Sequence, residues 1–81
     1  MHHIYPMVTL TRGPNWKIAV YARDNGVPHF HIEGPVFRCS VVIGSLEVIV
    51  GSAPVAVVRA ARVRAEANRA LLLATWQELN G

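Results

Sequence analysis

The sequence predicts an α+β fold: an antiparallel four- to five-stranded sheet with a C-terminal helix or helical hairpin packed on one face. Three observations carry this. Short runs rich in Val, Ile, Tyr, Phe and Trp, separated by turn residues, fill residues 1–51. Ala, Leu and Arg dominate residues 52–81, where glycine is absent until Gly81. The connections between the apolar runs are short, which joins antiparallel neighbours rather than parallel ones. With 81 residues the chain is a single domain, sheet over 1–51 and helical over 52–81.

The first strand is expected over Ile4–Leu10, at an edge because Pro6 cannot donate to a ladder. A turn over Arg12–Asn15 leads to a strand over Trp16–Arg23, with Trp16, Ile18 and Val20 alternating. Asp24, Asn25 and Gly26 form a strong turn signal. Strands follow over Pro28–Glu33, Val36–Ile43 and Leu46–Val50, broken by Gly34–Pro35 and Gly44–Ser45. Ser52 is the expected N-cap of the helical region, with Pro54 tolerated in its first turn. At 100° per residue, Val57, Ala61, Ala65, Leu72, Trp76 and Leu79 form one apolar stripe. Arg59, Arg62, Glu66, Arg69 and Gln77 fall opposite, where Arg62 and Glu66 can pair at i,i+4. Arg64 and Asn68 conflict with the stripe, which means either a break near Glu66–Asn68 or an edge that meets a partner.

Composition narrows the function classes. Hydrophobic residues are 52% and charged residues 16%, which excludes disorder. No apolar run approaches the ~20 residues of a bilayer span, so no membrane role is expected. The first residues lack a basic region followed by an apolar one, so no export signal is expected. The one cysteine, Cys39, faces the core and cannot form an internal disulfide, so a reducing cytoplasm is the expected compartment. A net charge of +3 is a mild bias toward anionic partners and leaves nucleic acid open. An apolar chain this small is marginal alone, which points to a homo-oligomer or a small protein partner.

Alternation along the strands sorts the chemistry. Trp16, Ile18, Val20, Phe30, Ile32, Phe37, Cys39, Val41, Ile43, Leu46, Val48 and Val50 are expected to face the helix. Lys17, Ala19, Tyr21, His29, His31, Glu33, Val36, Arg38, Ser40, Val42, Glu47 and Ile49 then face away. His29, His31 and Glu33 at i, i+2, i+4 share one side of one strand, about 7 Å between successive same-face Cα atoms. Three chemistries fit them. His29, His31 and Glu33 are a donor set for Zn²⁺, the one cofactor the sequence suggests, although they supply only three of the four ligands of a closed site. His29 and His31 as acid and base, with Lys17, Arg38 and Tyr21 contacting a phosphate or other substrate, describe a metal-independent ribonuclease or phosphodiesterase. The imidazoles can also serve as polar contacts at an interface. His2 and His3 are further candidate ligands. Asp24 can fix an imidazole tautomer from the preceding turn, its plainer role being a bond within that turn. All of these readings require the imidazoles to look away from the helix.

The segment Ile18–Asp24 (IAVYARD), the motif Pro28–His31 (PHFH), the strand ending Leu46–Val48 (LEV), Gly51, and the series Asn68, Leu72, Trp76 resemble a family of small bacterial proteins. It is known only as a domain of unknown function, the forty-one-sixty family of that series. The resemblance runs from about Lys17 to Asn80. It implies a protein encoded beside another small protein, an arrangement similar to toxin–antitoxin pairs, and carries over no catalytic residue. This chain departs from it at Asn25, where many members have His, and at Arg64, where many have an aromatic residue. The first expectation is therefore a cytoplasmic interaction or regulatory module, acting as a homodimer or with a neighbouring small partner. Nuclease and metal-binding activity are the alternatives.

Overall fold

The computed structural model describes residues 7–81. Five strands run β1 (Met7–Gly13), β2 (Trp16–Tyr21), β3 (His29–Glu33), β4 (Arg38–Val42) and β5 (Val48–Ser52), followed by helices α1 (Val55–Ala67) and α2 (Arg69–Asn80). The strands form one antiparallel meander in the order β1-β2-β3-β4-β5, as the short connections require. The expected start of the first strand at Ile4, and His2 and His3, lie outside the described residues. At its other end β1 runs on to Gly13, so the first turn narrows to Pro14–Asn15. Pro14 followed by Asn15 at φ +61° is the combination a type II turn takes.

The core lies between the sheet and the helices. Trp16, Ile18 and Val20 of β2, Phe30 and Ile32 of β3, and Cys39 and Val41 of β4 are buried with Ile43 against Ala61, Ala65, Leu72 and Trp76. Val57 and Leu79 pack against this cluster, so the expected helical stripe is the one that is buried. Burying Leu72 alone contributes about 2–3 kcal/mol.

Three expectations are corrected. Val50 does not face the core. Ser40 pairs with Val50 but Val41 pairs with Val48, so Ile49 is an extra residue in β5. That bulge shifts the face of everything after it, and Val50 stands 63% exposed. Ser52 is not the N-cap, because it is still in the ladder opposite Arg38; the cap is Pro54, with no side-chain bond. Glu66 pairs with Arg69 rather than Arg62, whose Nε donates to the carbonyl of Leu46.

The conflict at Arg64 and Asn68 resolves inside the chain. The helix breaks at Asn68, whose Nδ2 donates to the carbonyl of Arg64. The Arg64 guanidinium donates to Thr11 Oγ1 and the carbonyl of Arg12, and lies 5.2 Å from the ring centre of Trp16. It therefore ties α1 to the β1–β2 hairpin.

Candidate functional site

The face of the sheet opposite the helices is ordered in rows by the strand register. One row is Lys17, Glu33, Arg38 and Ser52; the next is Ala19, His31, Ser40 and Val50; His29 and Val42 begin a third. The sequence expectation that His29 and His31 lie on the face away from Phe30 and Ile32 matches this register, but the expectation that both imidazoles look away from the helix fails at His29, whose ring packs against Trp76 of α2 beyond the end of the sheet. The expectation that they stand open does not hold. His29 is 7% and His31 8% exposed. The ring of His29, the first residue of β3, lies 4.8 Å from that of Trp76, and the Tyr21 and His31 rings meet in a T-shaped contact at 5.0 Å.

Asp24 completes the cluster. Its Oδ2 lies 3.1 Å from His29 Nε2 and 3.0 Å from His31 Nε2. The turn places it there: Arg23 at φ +59° and Gly26 at φ +89° fold the β2–β3 loop back over the end of the sheet. From the other side α2 grips this loop. Asn80 Oδ1 accepts from the backbone N–H of Asp24 at 3.0 Å, and Asn80 Nδ2 donates to the carbonyl of Tyr21 at 2.9 Å. His29 Nδ1 donates to the carbonyl of Val27 at 2.8 Å, and His31 Nδ1 meets Ser40 Oγ at 3.3 Å. All four imidazole nitrogens have a partner within the chain.

Glu33, grouped with the imidazoles from sequence, belongs to a separate cluster one row away. Tyr21 Oη lies 2.8 and 2.7 Å from its two carboxylate oxygens and donates to them. Arg38 Nε stands 3.0 Å from Oε2, and Lys17 Nζ 3.8 Å from Oε1. Lys17 and Arg38 thus converge on Glu33 rather than on the histidines, and Tyr21 lies between the two clusters, bonded to Glu33 and packed against His31. Burial raises the Tyr21 phenol above its ordinary value, helped by its bond to Glu33 and by that carboxylate's charge. Burial likewise raises the Cys39 thiol. A pocket of about 270 Å³ on this face is lined by His31, Arg38, Cys39, Ser40 and Val50.

Strand alternation places Ser40 on this face, and its register opposite His31 gives it a role that no motif signals. Asn80 is the participant that sequence reasoning misses, because nothing in the sequence joins residue 80 to the loop at 24.

Fold and site together define a class: a two-layer α+β domain, a five-stranded meander under two helices, with a carboxylate and two imidazoles gathered at one end of the sheet. The chain belongs to the family described as Domain of unknown function (DUF4160), whose profile matches residues 15–77. Neither a curated protein nor a solved structure matches it. Among the described residues no helix is long and apolar enough to cross a membrane.

Proposed function

We propose that this chain is a cytoplasmic interaction module that works as a homodimer, joined through the outer face of α1. One observation carries the proposal. Beside the polar face of Arg59, Arg62 and Glu66, away from its buried stripe, α1 has a second apolar stripe: Ala56, Ala60, Val63 and Ala67, at i, i+4, i+7 and i+11, all exposed. Val63 is 67% exposed. A helix apolar on two sides normally has a neighbour on each.

The charges favour a second copy as that neighbour. Arg59 and Glu66 lie on the same flank of the stripe, with the midpoint of the stripe between them. Two copies of α1 packed antiparallel about a two-fold axis bring Arg59 of each to Glu66 of the other. The alanines let the backbones approach closely. In this reading the toxin–antitoxin-like arrangement implied by the family becomes a regulatory contact, in which a neighbouring small protein competes for the same face.

A ribonuclease or phosphodiesterase reading through His29 and His31 is less well supported. The cations such a site needs are not gathered at the histidines: Lys17 and Arg38 pair with Glu33, one row from His31.

Sedimentation velocity at micromolar concentration tests the proposal. The native chain should sediment as a dimer, and Val63→Glu should be a folded monomer. Arg59→Glu should weaken the dimer, and Arg59→Glu with Glu66→Arg should restore it. A strictly monomeric native chain, or a Val63→Glu dimer of undiminished affinity, overturns it. So does a mixed complex that forms with a different protein while the pure chain stays monomeric.

A further inference from the structure

We propose that Asp24, His29 and His31 form a binding site for a divalent transition-metal ion, with His29 Nε2, His31 Nε2 and Asp24 Oδ2 as the ligand atoms. These three atoms lie within 4.8 Å of one another. The site is independent of the α1 surface discussed above.

Convergence is the first argument. His29 Nδ1 donates to the carbonyl of Val27, which turns Nε2 toward Asp24 Oδ2, 3.1 Å away. His31 Nε2 is directed at the same oxygen from 3.0 Å. One metal ion can take all three atoms at once.

The second argument is the support behind each ligand. Metal-bound histidines donate their other ring N–H to a carbonyl, carboxylate or similar acceptor, which fixes the tautomer and the ring. His29 has the carbonyl of Val27 in that role, and His31 has Ser40 Oγ. Trp76 and Tyr21 wall the two rings, and Asn80 holds the loop carrying Asp24. Such a frame is expected of a site that must keep lone pairs convergent.

The third argument is spacing and access. Ligand atoms about 2.1 Å from an ion lie about 3.0 Å apart at right angles and about 3.4 Å apart at the tetrahedral angle of zinc. The imidazole–carboxylate separations of 3.1 and 3.0 Å fall near the first value, and all three atoms lie within 4.8 Å of one another, so small side-chain movements would close them on an ion. The side chain of Asp24 is 28% exposed, against 9% for His29 and 10% for His31, so the open side of the site is the carboxylate's. Two imidazoles and one carboxylate suit Fe²⁺, Co²⁺, Ni²⁺ or Zn²⁺, and disfavour Mg²⁺ and Ca²⁺, which prefer all-oxygen surroundings.

Equilibrium dialysis of the full chain against ZnCl₂, after stripping with a chelator, tests the site. The visible spectrum with CoCl₂ is the second readout. One Zn²⁺ per chain is expected, unaffected by excess Mg²⁺, with a rise in melting temperature. Asp24→Asn and His31→Ala should each lower affinity at least tenfold, and Ser40→Ala about 10–100-fold, as lost support behind a ligand does. Asp24 sits in a half-exposed loop, so Asp24→Asn remains informative even where His31→Ala fails to fold. The His2→Ala/His3→Ala variant should bind as the native chain does. The proposal is overturned by no binding at micromolar Zn²⁺, by binding that survives Asp24→Asn unchanged, or by binding lost with His2 and His3.

Discussion

Replacing Asn80 with Ala should destabilise the protein well beyond what a helix-end position ordinarily costs. Asn80 makes two bonds across the molecule: its Oδ1 accepts from the Asp24 N–H, and its Nδ2 donates to the Tyr21 carbonyl. Each is partly buried and contributes about 0.5–1.5 kcal/mol net. Their joint loss therefore costs about 1–3 kcal/mol. For a domain of this size, about 2 kcal/mol lowers the melting temperature by roughly 8–16 °C. Asn80→Asp keeps an acceptor for the Asp24 N–H but sets a carboxylate oxygen against the Tyr21 carbonyl, so it should be no more stable than Asn80→Ala. Thermal unfolding followed by circular dichroism measures both. The loop should loosen as well, so Asn80→Ala should weaken Zn²⁺ binding although it touches no ligand atom. A melting temperature within about 2 °C of native for Asn80→Ala would refute the clamp and the account of how Asp24 is placed.

Gly51 sits at φ +73°, and a Cβ there would lie 2.3 Å from the Arg38 carbonyl oxygen. Gly51→Ala should cost about 1–3 kcal/mol, read as a lower urea midpoint with unchanged slope. Burial raises the Cys39 thiol, so folding favours its neutral form. The stability this gives is complete below the ordinary thiol range near pH ~8.5, and is lost as pH climbs through the raised value. Over that alkaline window native stability should fall more steeply than that of Cys39→Ala. Parallel curves would remove the thiol as the cause.

Alternation in β2, β3 and the start of β4 was legible because both faces of a central strand are packed and one-residue slips are costly. It misled at Val50 because a bulge is a local insertion that period-two counting cannot see. The break at Asn68 was visible as a misfit, two polar residues in an apolar stripe, but which explanation held depended on where the β1–β2 hairpin stood. The pairing of His29 with His31 followed from spacing alone. Asp24 reaches them from the turn that the signal at 24–26 marks, with positive φ at Arg23 and Gly26; its anchor at Asn80 is the feature that is not local in sequence. Glu33 looked like a ligand because it shares a face with the imidazoles. Its neighbours across the sheet, Lys17 and Arg38, attract it instead.

The strand order has a kinetic corollary. Each strand pairs with the next one in the chain, so the sheet can assemble as successive hairpins, each an event of about 1–10 μs. The contact of longest span is the return of α2 to β1 and β2, and its loop-closure cost predicts that it forms last. Without it the Asp24 loop should lack its anchor at Asn80. Hydrogen exchange in a chain cut after Asn68 should find β3 and β4 protected and the Asp24 loop unprotected.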